Sequence, residues 1–412
     1  MPTFQAPPGT FDVLPPASAR YERLIGRFTT LAHRAGYGLV LTPMFEDVGV
    51  FQRVGESTDV VRKEMYAFED RGGRRLALRP EGTASVVRAF LQHRPPTPFK
   101  AAYVAPHFRY ERPQAGRYRQ HHQVGVEALG SPDPDLDVEV VALARDLYRD
   151  LGLTRVRLRL TSLGDDTCRP AYRDELVAYL RERAARLCGE HRDRIEDNPL
   201  RVLDCKRDEC RAATTGAPRM LDRLCPACAA HFDRVRAGLG ALGIAYDLDP
   251  TLVRGLDYYT RTTFEFEALA LESAQNGAGG GGRYDGLVAS LGGPPTPGIG
   301  FGLGIERILL ACDAEGVFGV PDATLDVFVI DTTGGEAARD LTAELRRAGL
   351  RADRAWDDRA WKAQMKAALQ SSAALAVVVE AEGITVRTLR EKGEAASVER
   401  SGVVEHVRKR MA

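Results

Sequence analysis

Two patterns of apolar positions alternate along the first third of the chain, one typical of helices and the other of strands. Apolar residues recur at helical spacing from Arg20 to Gly36, and a strand-like run follows from Tyr37 to Thr42. Later segments predict hairpin strands at Met65–Phe68 and Arg75–Leu78, a helix at Thr83–Gln92, paired strands at Ala101–Arg109 and Gln120–Ala128, and a helix at Asp135–Leu151. This mixture favours an antiparallel sheet flanked by helices over a regular βαβ winding.

The pattern changes twice further along the chain. Cys168 to Gly240 is rich in Arg, Ala, Asp and Cys and predicts an inserted helical module, after which strand-like sequence runs from Tyr246 through Phe266. From Leu325 onward, strands and helices alternate as in a small α/β domain. The sequence therefore predicts an α+β domain of residues 1–167 and 241–320, a helical insertion of residues 168–240, and a C-terminal α/β domain of residues 321–412.

The composition sets modest limits on function. Among 412 residues, 57 basic side chains balance 57 acidic ones, so a nucleic-acid partner would have to use local basic patches. The odd count of seven cysteines fits a reducing cytosol better than a disulfide framework. A signal peptide is not expected at the start of the chain, and no run of about 18 apolar residues predicts a membrane span.

The segment from Leu252 to Glu267 carries the most informative chemistry. It sets Arg254 beside Asp257 and two adjacent phenols, Tyr258 and Tyr259. Arginine stays protonated at physiological pH, so Arg254 cannot serve as a general base but can hold a carboxylate or a phosphate. The segment therefore indicates an anion site.

A second polar segment runs from Phe108 to Gln123 and contains four arginines. One interpretation is a solvated hairpin tip. However, the predicted strand puts Arg109 and Glu111 on one face, and Pro113 and Gly116 suit a shaped turn. A cation for phosphate beside a carboxylate for a nucleobase amine indicates a nucleotide site.

Three further segments leave alternatives open. Glu306-Arg307 opens a helix, where it predicts either an anion site or, as the pattern alone favours, a surface ion pair. The glycine-alternating run Gly298–Gly304 does not match a dinucleotide fingerprint and indicates a strand that a ligand can approach closely. Glu81 and Thr83 lie at a strand-to-helix junction, where they indicate either a helix cap or an anchor for an ammonium group.

The insertion contains two closely spaced cysteine pairs, Cys205 with Cys210 and Cys225 with Cys228. This spacing is compatible with one structural zinc bound by four thiolates, and equally with reduced, unliganded thiols. His231 is a spare candidate ligand.

Taken together, these segments resemble histidyl-tRNA synthetase, a class II aminoacyl-tRNA synthetase, over nearly the whole chain. The opening run Pro7–Pro16 resembles the family's start, and Leu41-Thr42-Pro43, Phe108–Gln123 and Gly302–Arg307 resemble class II motifs 1, 2 and 3. Leu252–Tyr259 and Gly282–Gly286 resemble the two segments peculiar to the histidine enzyme.

The resemblance implies a reaction in which ATP with Mg²⁺ activates L-histidine, which is then transferred to tRNA(His) by a cytoplasmic homodimer. It also implies roles for matching residues: Arg109 and Arg307 on the ATP phosphates, Glu111 on the adenine amine, His121 stacked on adenine, Arg254 on the histidine carboxylate and the α-phosphate, Arg117 near the reacting groups, Glu81, Thr83 and Gln123 on the α-ammonium group, and Glu127, Tyr259 and Tyr284 around the imidazole. Two positions depart from the family pattern. His121 stands where motif 2 usually has Phe or Tyr, and Thr260 stands where many relatives have Asn.

Two rival interpretations involve proteins that resemble the same catalytic fold but have other functions. One is the catalytically silent paralogue that regulates ATP phosphoribosyltransferase, and the other is a module that senses uncharged tRNA without chemistry. The paralogue lacks the C-terminal domain, whereas this chain has an α/β block from Leu325 onward. The chain also keeps Arg109, Arg254 and Arg307, which a binding module would not require.

Overall fold

The computed structural model describes residues 4–55, 58, 60–253, 258–272, 276–321, 325–356, 360–389 and 395–411. Within these residues the strands are β1 (Gly38–Leu39), β2 (Phe45–Asp47), β3 (Ala67–Glu69), β4 (Arg75–Leu78), β5 (Phe99–Phe108), β6 (Gln120–Leu129), β7 (Val156–Ser162), β8 (Asp247–Leu248), β9 (Thr260–Ala268), β10 (Gly277–Arg283), β11 (Gly298–Gly304), β12 (Leu325–Asp331), β13 (Ala352–Arg354), β14 (Ala373–Glu380), β15 (Gly383–Thr388) and β16 (Ala396–Val398). The helices are α1 (Ala17–Arg34), α2 (Val48–Gly55), α3 (Thr83–His93), α4 (Pro134–Asp150), α5 (Arg169–Arg181), α6 (Gly189–Arg192), α7 (Leu200–Leu203), α8 (Asp208–Thr214), α9 (Pro226–Ala241), α10 (Leu287–Ser290), α11 (Ile305–Glu315), α12 (Glu336–Arg347), α13 (Trp361–Gln370) and α14 (Val403–Met411).

The chain divides into two compact units, one extending to Gly319 and the other beginning at Val320, with Leu14–Arg20 grouped with the second. In the first unit an eight-stranded sheet has the order β1-β5-β6-β11-β10-β9-β7-β8. Its strands are antiparallel except at the two edges, where β1 pairs with β5 and β8 with β7 in parallel. The predicted antiparallel sheet flanked by helices is confirmed.

One face of this sheet forms the main core. Leu24 and Phe28 of α1, Leu147 of α4 and Ile308 of α11 are buried together with Phe264 and other sheet residues. Removing that apolar surface from water stabilises the unit and leaves the opposite face of the sheet available for a site.

The β10 strand consists mostly of glycine and still occupies the middle of the sheet, between β9 and β11. A Cβ on Gly281 would lie 1.9 Å from the carbonyl oxygen of Gly300, so only glycine fits there. The sequence did not predict a strand at these glycines, because glycine weakens strands and its close packing depends on neighbours distant in sequence.

The predicted edge strands are shorter than expected. The run Tyr37–Thr42 pairs only at Gly38–Leu39, and Tyr246–Leu252 pairs only at Asp247–Leu248. Both lie at a sheet edge, where one neighbour alone supports them. The predicted hairpin is confirmed, since β3 and β4 pair in antiparallel fashion.

The insertion is helical, as predicted, and has its own small core that includes Tyr172, Leu176 and Val202. Its last helix, α9, belongs partly to the main core through Phe232, Val235 and Leu239.

The second unit has a five-stranded sheet in the order β13-β12-β14-β15-β16. Strand β12 is parallel to β13 and β14, and β15 and β16 follow in antiparallel order. This is the small α/β unit that the sequence predicts, although the three-residue strands β13 and β16 escaped prediction. Among the residues described above, no helix is both long enough and apolar enough to cross a membrane.

Candidate active site

Glu127 on β6 is a buried carboxylate at one end of the site. It accepts hydrogen bonds from Thr83 Oγ1 at 2.7 Å and from the Tyr284 hydroxyl at 2.5 Å. The pKa of Glu127 is raised to about 8. Burial is the main cause and the negative charge of Glu81 acts in the same direction, whereas the two hydrogen bonds act against the rise. The site therefore holds a carboxyl group that can change its protonation near neutral pH.

A second buried carboxylate, Glu81, caps helix α3. Its two oxygens accept from the backbone N–H groups of Thr83 at 2.7 Å and Ala84 at 2.8 Å. The capping role is confirmed for the acid rather than for Thr83, whose hydroxyl donates to Glu127. The Tyr258 hydroxyl also donates to Glu81, at 3.4 Å. Burial raises the pKa of Glu81, and the backbone donors and Arg109 oppose that rise.

Glycines of β11 make room for these side chains. In the β6–β11 pairing, Glu127 lies opposite Gly300 and Gly125 opposite Gly302. A Cβ on Gly300 would lie 1.9 Å from Glu127 Oε2, and a Cβ on Gly302 would lie 3.0 Å from Gln123 Oε1. Gly298–Gly304 is a strand, as predicted, but the groups that approach its glycines are the side chains of Glu127 and Gln123. The predicted close approach of a ligand stays a prediction.

Tyr284 is positioned by a buried ion pair next to it in the chain. Arg283, fully buried at the end of β10, pairs with the buried carboxylate of Asp137. Asp137 also lies 2.8 Å from Nε2 of His231, so the predicted spare zinc ligand takes part in this network instead. A buried charge pair is costly to break, which fixes the end of β10 and the direction of Tyr284.

The other end of the site is a cleft rich in arginine. Arg109, Arg117 and Arg307 line it. Arg307 donates to the carbonyl oxygens of Gly116 at 3.0 Å and Gly277 at 2.7 Å, which fixes its guanidinium. Burial lowers the pKa of Arg307 and the nearby Arg117 adds to this, while Glu111 and Glu265 oppose it. Clustered cations in a partly desolvated cleft suit a polyanion.

Glu306 and Arg307 do not form the surface ion pair that the pattern alone favoured. Glu306 is buried and accepts from the backbone N–H of His122 at 3.0 Å, with His122 Nδ1 at 2.8 Å. Glu306 therefore ties α11 to β6, and Arg307 is left to face the cleft.

The prediction that Arg109 and Glu111 share one face of a strand is wrong, because β5 ends at Phe108. The Glu111 N–H donates to the Arg109 carbonyl at 2.8 Å in the loop that follows. Arg109 instead donates from Nε to the Pro80 carbonyl at 2.8 Å, and its Nη1 lies 4.0 Å from Glu111. The two side chains still line the same cleft.

His121, Gln123 and Tyr259 complete the predicted residues in the cleft. Burial, together with the charges of Arg109 and Arg307, lowers the pKa of His121 to about 3. The ring is therefore neutral at pH 7 and can stack on a flat ligand.

Sequence reasoning missed two residues of the site. Tyr258 reaches Glu81, and its ring centroid lies 4.8 Å from that of Tyr259 and 5.9 Å from that of Tyr284. Glu265 on β9 lines the arginine cleft, and the alternation T-F-E-F-E could have placed it on the polar face. Arg254 and Asp257 lie outside the described residues.

The four cysteines predicted to form one zinc centre are divided between two clusters. Cys205 and Cys210 lie with Cys188 and His191, whereas Cys225 and Cys228 lie with Asp165 and Cys168. The prediction of a single four-cysteine centre is therefore wrong, because each cysteine pair lies beside a different segment of the folded chain.

Comparisons with known proteins point to one family. A family model described as histidyl-tRNA synthetase matches residues 9–308. A protein of Rhodococcus erythropolis named histidine–tRNA ligase is 52% identical, over 98% of this chain and 97% of its own. One of the same name from Moorella thermoacetica is 49% identical, over 98% and 97%. Among solved structures, the ligand-free histidyl-tRNA synthetase of S. aureus matches with a TM-score of 0.81 and 35% identity, covering 98% of this chain and 100% of that one.

Proposed function

The chain belongs to the histidyl-tRNA synthetase family and attaches histidine to tRNA, and we propose that it does so through a histidyl-adenylate formed in the cleft described above. One observation carries the assignment of the site. Two buried carboxylates, Glu81 and Glu127, lie at one end of a connected group of side chains whose other end is rich in arginine.

Adenylate formation requires positioning rather than a general base. The carboxylate of histidine is already ionised at pH 7, so it can attack the α-phosphorus directly. The obstacle is to bring this anion to the polyanionic ATP. Arg109 and Arg307 would grip the ATP phosphates, Arg117 would lie near the reacting groups, and Arg254 would hold the two reacting anions together.

ATP acts with Mg²⁺ throughout this family, and the ion neutralises phosphate charge when it is bound. The carboxylates of Glu111 and Glu265 line the arginine cleft. Carboxylate oxygens are ligands that Mg²⁺ prefers. Glu265 would hold the ion, and Glu111 would accept from the adenine amine.

Recognition of histidine divides between its two polar ends. Glu81, Thr83 and Gln123 would bind the α-ammonium group, with Tyr258 orienting Glu81. Glu127, Tyr259 and Tyr284 would surround the imidazole. An apolar analogue would leave these buried groups unpaired, which can discriminate by roughly 10⁴ without an editing site.

Replacement of His121 by phenylalanine is expected to lower the KM for ATP about fivefold. A phenyl ring adds apolar stacking area worth about 1 kcal/mol over the neutral imidazole. Pyrophosphate exchange at varied ATP concentrations measures the change, and the KM for histidine serves as the internal control because it should stay constant. An unchanged or higher KM for ATP would contradict the stacking role.

The proposal extends to partners and location. Leu39, Leu41, Met44 and Phe45 are about half exposed or more, and this apolar strip in the motif 1 region supports a homodimer. The second unit would contact the anticodon of tRNA(His) in the cytoplasm. Arg408-Lys409-Arg410 lies in helix α14 and would contact phosphates of the tRNA. The cysteines of the insertion suit a structural zinc.

Histidine-dependent ATP–pyrophosphate exchange tests the enzymatic assignment. The folded protein with Mg²⁺ should exchange label in the presence of histidine, not phenylalanine, and should charge a tRNA(His) transcript. The regulatory paralogue remains the second candidate, and a folded chain that shows no exchange above background would favour it.

A further inference from the structure

The first cysteine cluster of the insertion joins two short segments, residues 188–191 and 205–210. Nδ1 of His191 lies 3.0 Å from Sγ of Cys188, and Cys210 Sγ lies 3.3 Å from the backbone nitrogen of Cys188. Cys205 completes the group, and the ligand atoms of all four residues lie within 4.8 Å of one another. Three of the four residues are buried, the exception being His191, which is half-buried.

The second cluster joins the start of the insertion, at Asp165 and Cys168, to the start of its last helix α9, at Cys225 and Cys228. Sγ of Cys168 lies 3.9 Å from Sγ of Cys228 and 3.7 Å from Oδ1 of Asp165. Sγ of Cys225 lies 3.9 Å from the same carboxylate oxygen. All four ligand atoms of this cluster lie within 4.8 Å of one another.

These separations fit a tetrahedral zinc ion. With zinc–sulfur bonds of about 2.3 Å, the sulfur atoms of a tetrahedron lie about 3.8 Å apart. A disulfide bond instead needs about 2.05 Å between sulfurs. The seven cysteines all belong to the described residues and form no disulfide bond there, so these distances are not those of disulfides.

Each cluster draws two ligands from each of two chain segments at zinc-site spacing. The first combines Cys188-x2-His191 with Cys205-x4-Cys210, and the second combines Asp165-x2-Cys168 with Cys225-x2-Cys228.

Arg261 orients the carboxylate of the second cluster. Nη2 of Arg261 donates to Asp165 Oδ2 at 3.1 Å, which leaves Oδ1 directed at the two sulfur atoms. Such an outer partner fixes a ligating carboxylate and offsets the charge of three thiolates and one carboxylate around a divalent ion.

The first cluster also has a structural reason to need a metal. Helices α6, α7 and α8 contain 4, 4 and 7 residues, and helices this short are not stable alone. The small core beneath them includes Cys188, Cys205 and Cys210 themselves. A metal held by these residues would add its binding energy to the stability of this small core.

We propose that the insertion binds two structural zinc ions in separate centres. Centre I consists of Cys188, His191, Cys205 and Cys210, and centre II consists of Asp165, Cys168, Cys225 and Cys228. Neither centre depends on the enzymatic assignment, because metal content is measured independently of pyrophosphate exchange.

Elemental analysis of the full chain, purified without chelator, tests the proposal. We expect about two zinc ions per chain, and about one in either Cys205→Ser or Cys225→Ser. Cys312→Ala is the matched control, because Cys312 is buried in the main core outside both clusters, and it should retain both ions. Fewer than about 0.5 zinc ions per chain in the wild type, or loss of all metal from each single variant, would overturn the proposal.

X-ray absorption at the zinc edge keeps the proposal testable if the variants do not fold. The two centres together should give an average shell of about three sulfur and one nitrogen or oxygen ligand, with zinc–sulfur distances of about 2.3 Å. A shell of four sulfur atoms would contradict the assignment and favour a single four-cysteine centre. Fewer than seven titratable thiols in the denatured, metal-free chain would show a disulfide and would also contradict it.

Discussion

Replacing Arg307 by alanine is expected to lower histidine-dependent ATP–pyrophosphate exchange by about 10²- to 10³-fold, the cost of removing one preorganised charged donor from a reaction that builds up negative charge. Arg307 is held by the carbonyl oxygens of Gly116 and Gly277 and faces the cleft with Arg109 and Arg117. Because its guanidinium is fixed before ATP binds, no reorganisation is needed as the phosphates move.

The same variant separates nucleotide chemistry from histidine binding. Histidine affinity, measured by calorimetry without ATP, should change by less than about twofold, since the proposed histidine end is built on Glu81 and Glu127. Arg307→Lys should recover only part of the activity, because lysine cannot keep two directed bonds to two carbonyls. Arg149→Ala is the control, since Arg149 is 73% exposed in a surface pair on α4. Exchange within about fivefold of wild type in Arg307→Ala would remove this residue from the mechanism.

The sequence predicted the site best where chemistry depends on residue type. An arginine stays a cation and a carboxylate stays an acceptor whatever the local backbone conformation. Arg109 and Glu111 both line the cleft, although the strand predicted to align them ends before both. The glycine strand β10 could not be predicted in this way. Its place in the sheet depends on the close approach of β11, a contact between distant segments.

The cysteines show a related limit. Local spacing identified two pairs and joined them into one centre, because sequence gives no distance between segments. The folded insertion instead brings each pair to a different partner segment. The motifs Cys188-x2-His191 and Asp165-x2-Cys168 were present in the sequence and, with the two pairs, would have completed two ligand sets.

The second large effect is expected at Glu127, where replacement by glutamine should raise the KM for histidine by about 10- to 100-fold above pH 8, where the carboxyl is ionised. The charged carboxylate would accept an N–H of the imidazole, and a charge-assisted hydrogen bond contributes about 1.5–3 kcal/mol. Glutamine keeps the shape and can still bond Thr83 and Tyr284, so the loss should fall on histidine rather than on the fold. Exchange at varied histidine concentrations measures it, with the KM for ATP as the internal control.

The protonation of Glu127 makes this effect depend on pH. Its pKa is raised to about 8 in the folded chain, so the carboxyl is mostly protonated at pH 7 and ionises as the pH rises. Free histidine already has a neutral ring above about pH 6.5. Between pH 7 and 8.5, therefore, histidine affinity should increase in the wild type, because the ionised carboxylate is the better acceptor. Glu127→Gln should be flat over that window, and equal slopes for the two proteins would show that another group titrates.

Stability should change with pH in the opposite direction. A carboxyl whose pKa is higher in the folded chain than in the unfolded chain binds its proton more tightly when folded, so its contribution favours folding at low pH. That contribution is lost as the pH rises from about 4.5 through about 8. Without histidine, Glu127→Gln should consequently gain stability relative to the wild type between pH 5 and 8 in denaturant melts. Bound histidine should reduce this difference, since the ligand stabilises the ionised carboxylate that burial alone disfavours.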